Sequence, residues 1–193
     1  KVVNASISGE TTAGGRSRLP AALQAHRPAV VVIELGANDG LRGLPIPAMN
    51  ANLQAMIDAS RQAGARVLLV GMQMPPNYGP DYTARFARTY QDLARTNKVR
   101  LVPFMMAGFA DKPDHFQQDG IHPVAVSSEP RRRQRAPRGV LAGGDERPRV
   151  AVPRLDRERV AAVRAEGGLG QGRGVDVINF SGVPVKAQGV AQA

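Results

Sequence analysis

Residues 1–123 predict a three-layer α/β/α domain built on a parallel sheet. Ala29–Leu35 (AVVVIEL) is an almost unbroken β-branched run, and Arg66–Met72 is a second apolar stretch of strand length. Runs of this kind, without polar alternation, are expected of strands buried on both faces, as parallel strands are. Between them lie segments with helical spacing of apolar residues, and strand–helix alternation implies a parallel sheet covered on both sides.

The elements follow in order. Val2–Ile7 is a short β-prone stretch ending in the loop Ser8-Gly9. Gly15 to His26 reads as a helix with Leu19, Ala22 and Leu23 inward, stopped by Arg27-Pro28. After the strand Ala29–Leu35 comes a Gly-rich loop, Gly36–Ile46. Pro47 to Ala63 is a second helix, with Met49, Leu53, Met56 and Ile57 on one face and Gly64 closing it. The strand Arg66–Met72 leads to the loop Gln73–Pro80, and Asp81 is placed to cap a third helix running to Asn97. Phe86, Tyr90 and Leu93 form its stripe, and Val99–Phe104 is the next strand.

The character changes after Pro123. Residues 124–193 are rich in Arg, Gly, Val and Ala and hold one aromatic, Phe180. Such a composition buries too little apolar surface to offset ordering entropy, so this tail is expected to be largely disordered. The net charge of +10 is uneven: residues 1–123 carry 13 Lys/Arg against 9 Asp/Glu, whereas 124–193 carry 13 against 7. The basic excess therefore belongs mainly to the tail. With no Cys, disulfides, thiolate metal sites and Cys nucleophiles are excluded. No apolar run approaches the ~20 residues of a membrane span. Lys1 leads straight into Val2-Val3-Asn4, and no signal peptide is visible.

Three blocks carry chemistry. In Asp119-Gly120-Ile121-His122-Pro123, an Asp and a His three positions apart can share one tight turn. There a carboxylate can fix the tautomer of the imidazole and stabilise its protonated form. Asp-Gly is also a common way to make a plain turn. The other blocks are Ser8-Gly9-Glu10-Thr11 and Gly36-Ala37-Asn38-Asp39-Gly40, each in a loop after a predicted strand. Gly9, Asn38 and Tyr78 all follow strands, so they gather at the carboxyl edge of the sheet, where such folds bind ligands. Asp39 is read as serving loop structure. His115, Asp119 and His122 also make a conceivable metal cluster, but Gly120 and Pro123 oppose a regular helix presenting them, and neither metal nor cofactor is expected. Gly168–Gly174 lacks the spacing and the preceding strand of a dinucleotide fingerprint.

The order and spacing of Val2-Val3-Asn4-Ala5-Ser6-Ile7-Ser8-Gly9-Glu10-Thr11, Val32-Ile33-Glu34-Leu35-Gly36-Ala37-Asn38-Asp39-Gly40-Leu41-Arg42-Gly43, Met74-Pro75-Pro76-Asn77-Tyr78-Gly79 and Asp119-Gly120-Ile121-His122-Pro123 resemble the SGNH (GDSL-type) hydrolases. The similarity is to the bacterial arylesterase and thioesterase I/lysophospholipase branch, and it runs from Lys1 to about Pro123. It implies a flavodoxin-like fold and hydrolysis of carboxylic esters or acyl thioesters, in the periplasm or outside the cell. It implies His122 as general base, Asp119 as its orienting carboxylate, and Gly9 (backbone N–H) and Asn38 (side-chain amide) as the oxyanion hole. Asn77 and Tyr78 fall in the substrate-side loop.

The Gly-Asp-Ser-Leu-like block that supplies the nucleophile is absent, and its place would precede Lys1. None of the serines sits in such a block, and no Gly-x-Ser-x-Gly elbow exists. The expectation is a partial hydrolase domain over 1–123, lacking its first strand and with little activity of its own. An open sheet edge and poor solubility would follow. The tail at 124–193 is read as the product of a reading-frame change or annotation join. An alternative from another class is a basic protein binding nucleic acid or other polyanions non-specifically through its Arg-rich tail, residues 124–193. Interleaved aromatics for base stacking are missing there.

Overall fold

The computed structural model describes residues 2–118, 120 and 177–182. Its strands are β1 (Val2–Asn4), β2 (Val30–Glu34), β3 (Arg66–Val70), β4 (Arg100–Val102) and β5 (Val177–Ser181). The helices are α1 (Thr12–His26), α2 (Ala37–Leu41), α3 (Ile46–Gln62) and α4 (Pro80–Asn97). All strand pairs are parallel, in the order β1-β5-β2-β3-β4. This is the α/β architecture with a parallel sheet that the alternation of strands and helices predicts.

The connections β1–α1–β2, β2–α3–β3 and β3–α4–β4 all advance across the sheet in one direction. Right-handed crossovers therefore put α1, α3 and α4 on the same face. Their inward residues Leu19, Leu23, Met49, Leu53, Met56, Ile57, Phe86, Tyr90 and Leu93 form one buried core with Val31, Ile33, Val67, Leu69, Ile178 and Phe180 of the sheet. Because strand side chains alternate, Val30, Val32, Leu68, Val70, Val102 and Val177 make a second buried cluster on the opposite face, with Met105 against it. The second helical layer of the α/β/α reading lies outside the described residues.

Several boundaries differ from expectation. Strand β1 is shorter than Val2–Ile7, but its ladder continues: the amides of Ala5 and Ile7 donate to Asn179 O (2.9 Å) and Ser181 O (3.1 Å). Helix α1 starts at Thr12 rather than Gly15. The stretch Gly36–Ile46, read as loop, contains α2. Asp81 lies in the first turn of α4 without capping it. Gly79 holds the cap position, and its carbonyl accepts from Thr83 Oγ1 at 2.8 Å.

The largest difference concerns the tail. Val177–Ser181, inside the segment whose composition reads as disordered, is an interior strand. It fills the position between β1 and β2, so the described sheet has no gap there. Its register is Ile178 against Val3 on one side and Val31 on the other. Composition misses this strand because its stability comes from partners distant in sequence, not from a local apolar run. The rest of 124–193 lies outside the described residues.

Candidate active site

The carboxyl ends of β1, β5 and β2 bring together the loop Ser8–Thr11, Gly182, and the first turn of α2. Gly36, just before α2, has φ +115°, and a Cβ there would come within 2.2 Å of Tyr90 Oη. Glycine is thus required both by backbone conformation and by space. The chain turns sharply off β2 and presents Asn38 toward β5.

The two sequence-predicted donors meet. The Gly9 N–H donates to Gly182 O at 3.0 Å, and Asn38 Nδ2 donates to the same oxygen at 3.2 Å. Asn38 Nδ2 also donates to Glu10 O at 3.0 Å. A backbone amide and a side-chain amide converging on one carbonyl oxygen is the geometry needed to hold an oxyanion without any change in protein charge. Gly9 itself has φ +74°, a conformation natural to glycine.

Asp39 is buried at 3% exposure and takes no part in this convergence. Its Oδ2 accepts the Thr12 N–H at 2.8 Å and its Oδ1 accepts Thr12 Oγ1 at 2.5 Å. It thereby satisfies an orphan donor in the first turn of α1 and places negative charge at the positive end of the helix dipole. Asn52 Nδ2 donates on to Thr12 Oγ1 at 3.1 Å, tying α3 to the same node. Arg18, from α1, pairs with the Glu10 carboxylate, donates to Ala5 O at 3.0 Å and lies 5.2 Å from the Phe180 ring centre. The loop carrying Gly9 is thus fastened to both α1 and β5.

An aromatic column supports α2 from below. Tyr78, Tyr82, Phe86 and Tyr90 follow one another at ring separations of 6.1, 6.4 and 5.6 Å. Tyr78 Oη donates to Leu41 O (3.2 Å), Tyr82 Oη to Gly40 O (3.4 Å) and Tyr90 Oη to Leu35 O (2.9 Å). Burial foremost, then the charges of Asp39 and Glu34, holds the Tyr90 hydroxyl above its ordinary range, so it remains a donor. Tyr82 is raised too, by burial and then by Tyr78 and Asp39. Tyr78 therefore props the Asn38 loop, while Asn77 is exposed beside it.

Sequence reasoning missed Glu34, Ser181 and Gly182. Glu34, the last residue of β2, faces Ser181 of β5 in register. Burial pushes its carboxyl up to about 7, partly countered by a hydrogen bond from Ser181. One signal was available: a carboxylate closing an otherwise apolar run. Asp119 and His122 lie outside the described residues. His115 stacks on Phe109 at 5.8 Å between ring centres. A shallow cavity of about 560 Å³ along α3, lined by Ile46, Asn50, Gln54 and Asp58, contains none of the predicted site residues.

Known proteins resemble this chain over about its first two thirds. The model of the GDSL-like lipase/acylhydrolase family matches residues 1–126. The chain is 52% identical over 131 residues to an esterase, TesA, of Pseudomonas aeruginosa, covering 68% of this chain and 65% of that protein. It is 45% identical over 122 residues to an arylesterase of Vibrio mimicus, covering 63% and 61%. The chain thus spans a little under two thirds of the length of these curated relatives. Among solved structures, that of TesA superposes with a TM-score of 0.62 at 53% identity, covering 64% of this chain and 68% of that one. The psychrotrophic esterase EstA from Pseudoalteromonas sp. gives 0.60 at 44% identity, covering 63% and 66%. With the family model matching well over half its length, and the parallel sheet that the solved relatives share, the chain belongs to the GDSL-like lipase/acylhydrolase family.

Proposed function

We propose that this chain carries the oxyanion-binding and acid–base part of a serine-type hydrolase acting on carboxylic esters or acyl thioesters. The single observation that carries the reading is the convergence of Gly9 N–H and Asn38 Nδ2 on one carbonyl oxygen. In the proposed reaction a serine hydroxyl adds to the acyl carbonyl and His122 takes its proton, while Asp119 orients the imidazole. The oxygen that becomes negative sits between Gly9 and Asn38. Collapse expels the alcohol or thiol, protonated by His122, and water then repeats the sequence on the acyl-enzyme. The names of the relatives, esterase and arylesterase, support carboxylic esters, aryl esters among them, as substrates, with lysophospholipids and acyl-CoA as further candidates. A periplasmic or extracellular setting is part of the proposal. No helix among the described residues is long and apolar enough to cross a membrane.

The serine is the element these 193 residues do not supply in a Gly-Asp-Ser-Leu-like block, so little turnover is expected from them alone. The test is fluorophosphonate labelling together with hydrolysis of a short-chain p-nitrophenyl ester. No labelling is expected for the chain as it stands. Labelling and turnover should appear when a family-type strand and Gly-Asp-Ser-Leu segment are fused ahead of Lys1, and His122→Ala should abolish both. Labelling of the unfused chain that disappears with His122→Ala would refute the assignment of the nucleophile. The alternative of polyanion binding is read on the Arg-rich tail, residues 124–193, of which only 177–182 are among the described residues.

A further inference from the structure

The strand between β1 and β2 comes from the far end of the described sequence, and its fit is incomplete. Asn179 sits in the interior of the sheet, in register with Asn4 and Val32. Its Oδ1 has no hydrogen-bond partner among the described residues, and its Nδ2 reaches Ser6 Oγ only at 3.5 Å. Beside it, the buried Ser181 hydrogen-bonds the carboxylate of Glu34. An apolar side chain at the 179 position would leave no amide oxygen unsatisfied against Val32.

The end of the strand fits much more tightly. Gly182 N–H donates to Glu34 O at 3.2 Å, and Gly182 O takes both donors of the candidate oxyanion hole. A Cβ on Gly182 would come within 2.5 Å of Asn38 Nδ2 and 2.8 Å of Glu10 O. Only glycine brings its carbonyl this deep. While that carbonyl is seated, neither the Gly9 N–H nor the Asn38 amide is free to hold the oxygen of an ester.

We propose that Val177–Gly182 is a displaceable internal plug, seating the Gly182 carbonyl between Gly9 and Asn38, and that an extended apolar peptide entering parallel to β2 takes its place. The proposal rests on reading Gly9 and Asn38 as oxyanion donors. The groove selects its occupant by backbone pairing with β1 and β2, by apolar side chains at the positions of Ile178 and Phe180, and by a glycine at the end. A peptide that also carries an apolar residue in place of Asn179 competes well because it removes the unpaired amide.

The experiment uses the full 193-residue chain and a fluorescein-labelled peptide, Val-Ile-Val-Phe-Ser-Gly, with fluorescence anisotropy and hydrogen exchange read together. Saturable binding is expected, and amides 178–181 should exchange about tenfold faster or more once the peptide is bound. Gly182→Ala, which pushes the resident carbonyl out, should tighten peptide binding by about tenfold, and Asn179→Val should weaken it by a similar factor. The proposal is overturned if the wild-type chain shows no saturable binding, or if binding leaves the protection of 178–181 unchanged. The wild-type arm decides even if a variant misfolds. Since neither readout uses ester hydrolysis, failure of the fused chain to hydrolyse esters would count against the proposed function and leave this result standing.

Discussion

Glu34→Gln is expected to remove a pH dependence of stability written into the junction of β2 and β5. The carboxyl titrates near 4.5 when free and at about 7 in the fold, because burial disfavours its charged form. The folded state therefore binds a proton that the unfolded state releases between those values. The sign follows: this contribution is fully present below about pH 4.5 and is lost as pH rises through about 7. Integrating between pH 5 and pH 8 gives a loss of roughly 2.5 kcal/mol, at about 1.36 kcal/mol per pKa unit. Glutamine keeps an oxygen to accept from Ser181 but has nothing to titrate. Urea unfolding of both chains at pH 5, 6, 7 and 8, followed by circular dichroism, measures the effect as a change in midpoint at constant slope. The variant should gain on the wild type by the same roughly 2.5 kcal/mol across this range. An equal difference between the two chains at pH 5 and pH 8 would refute burial of Glu34 as the cause.

Two other substitutions probe the support of the Asn38 loop. Tyr90→Phe leaves Leu35 O without its buried donor and should lower stability by about 1–3 kcal/mol in the same unfolding assay. Asp39→Ala leaves two buried donors of Thr12 unpaired and removes the charge at the start of α1. It should cost about 2–3 kcal/mol, seen as a lower unfolding midpoint, while Asp39→Asn recovers part of the loss.

The strands β2 and β3 and the helices α3 and α4 were legible because their signals are local: unbroken β-branched runs, and stripes such as Met49, Leu53, Met56 and Ile57. Helix α2 was hidden by its own glycines. Gly40 is there because a Cβ would come within 2.4 Å of Met74 Sδ, a reason invisible along the chain. That Gly9 and Asn38 share the sheet's carboxyl edge was readable from strand–loop order, and their pairing as donors from the family resemblance. That both would meet the carbonyl of Gly182 was not, since the Asn38–Gly182 bond spans 144 positions. Strand β5 shows the same limit: Val-Ile-Asn-Phe-Ser carries too few apolar residues to announce an interior strand.

The placement of β5 also sets a timetable. Its partners lie near the start of the chain, with Asn179 and Ser6 separated by 173 positions. Pairings this distant slow folding, because the intervening chain must be closed before any contact rewards it. On a ribosome adding ~5–20 residues per second, β1 and β2 emerge several seconds before the strand that joins them. For that interval the growing chain displays two facing rows of unpaired backbone groups, open to any extended segment that arrives first.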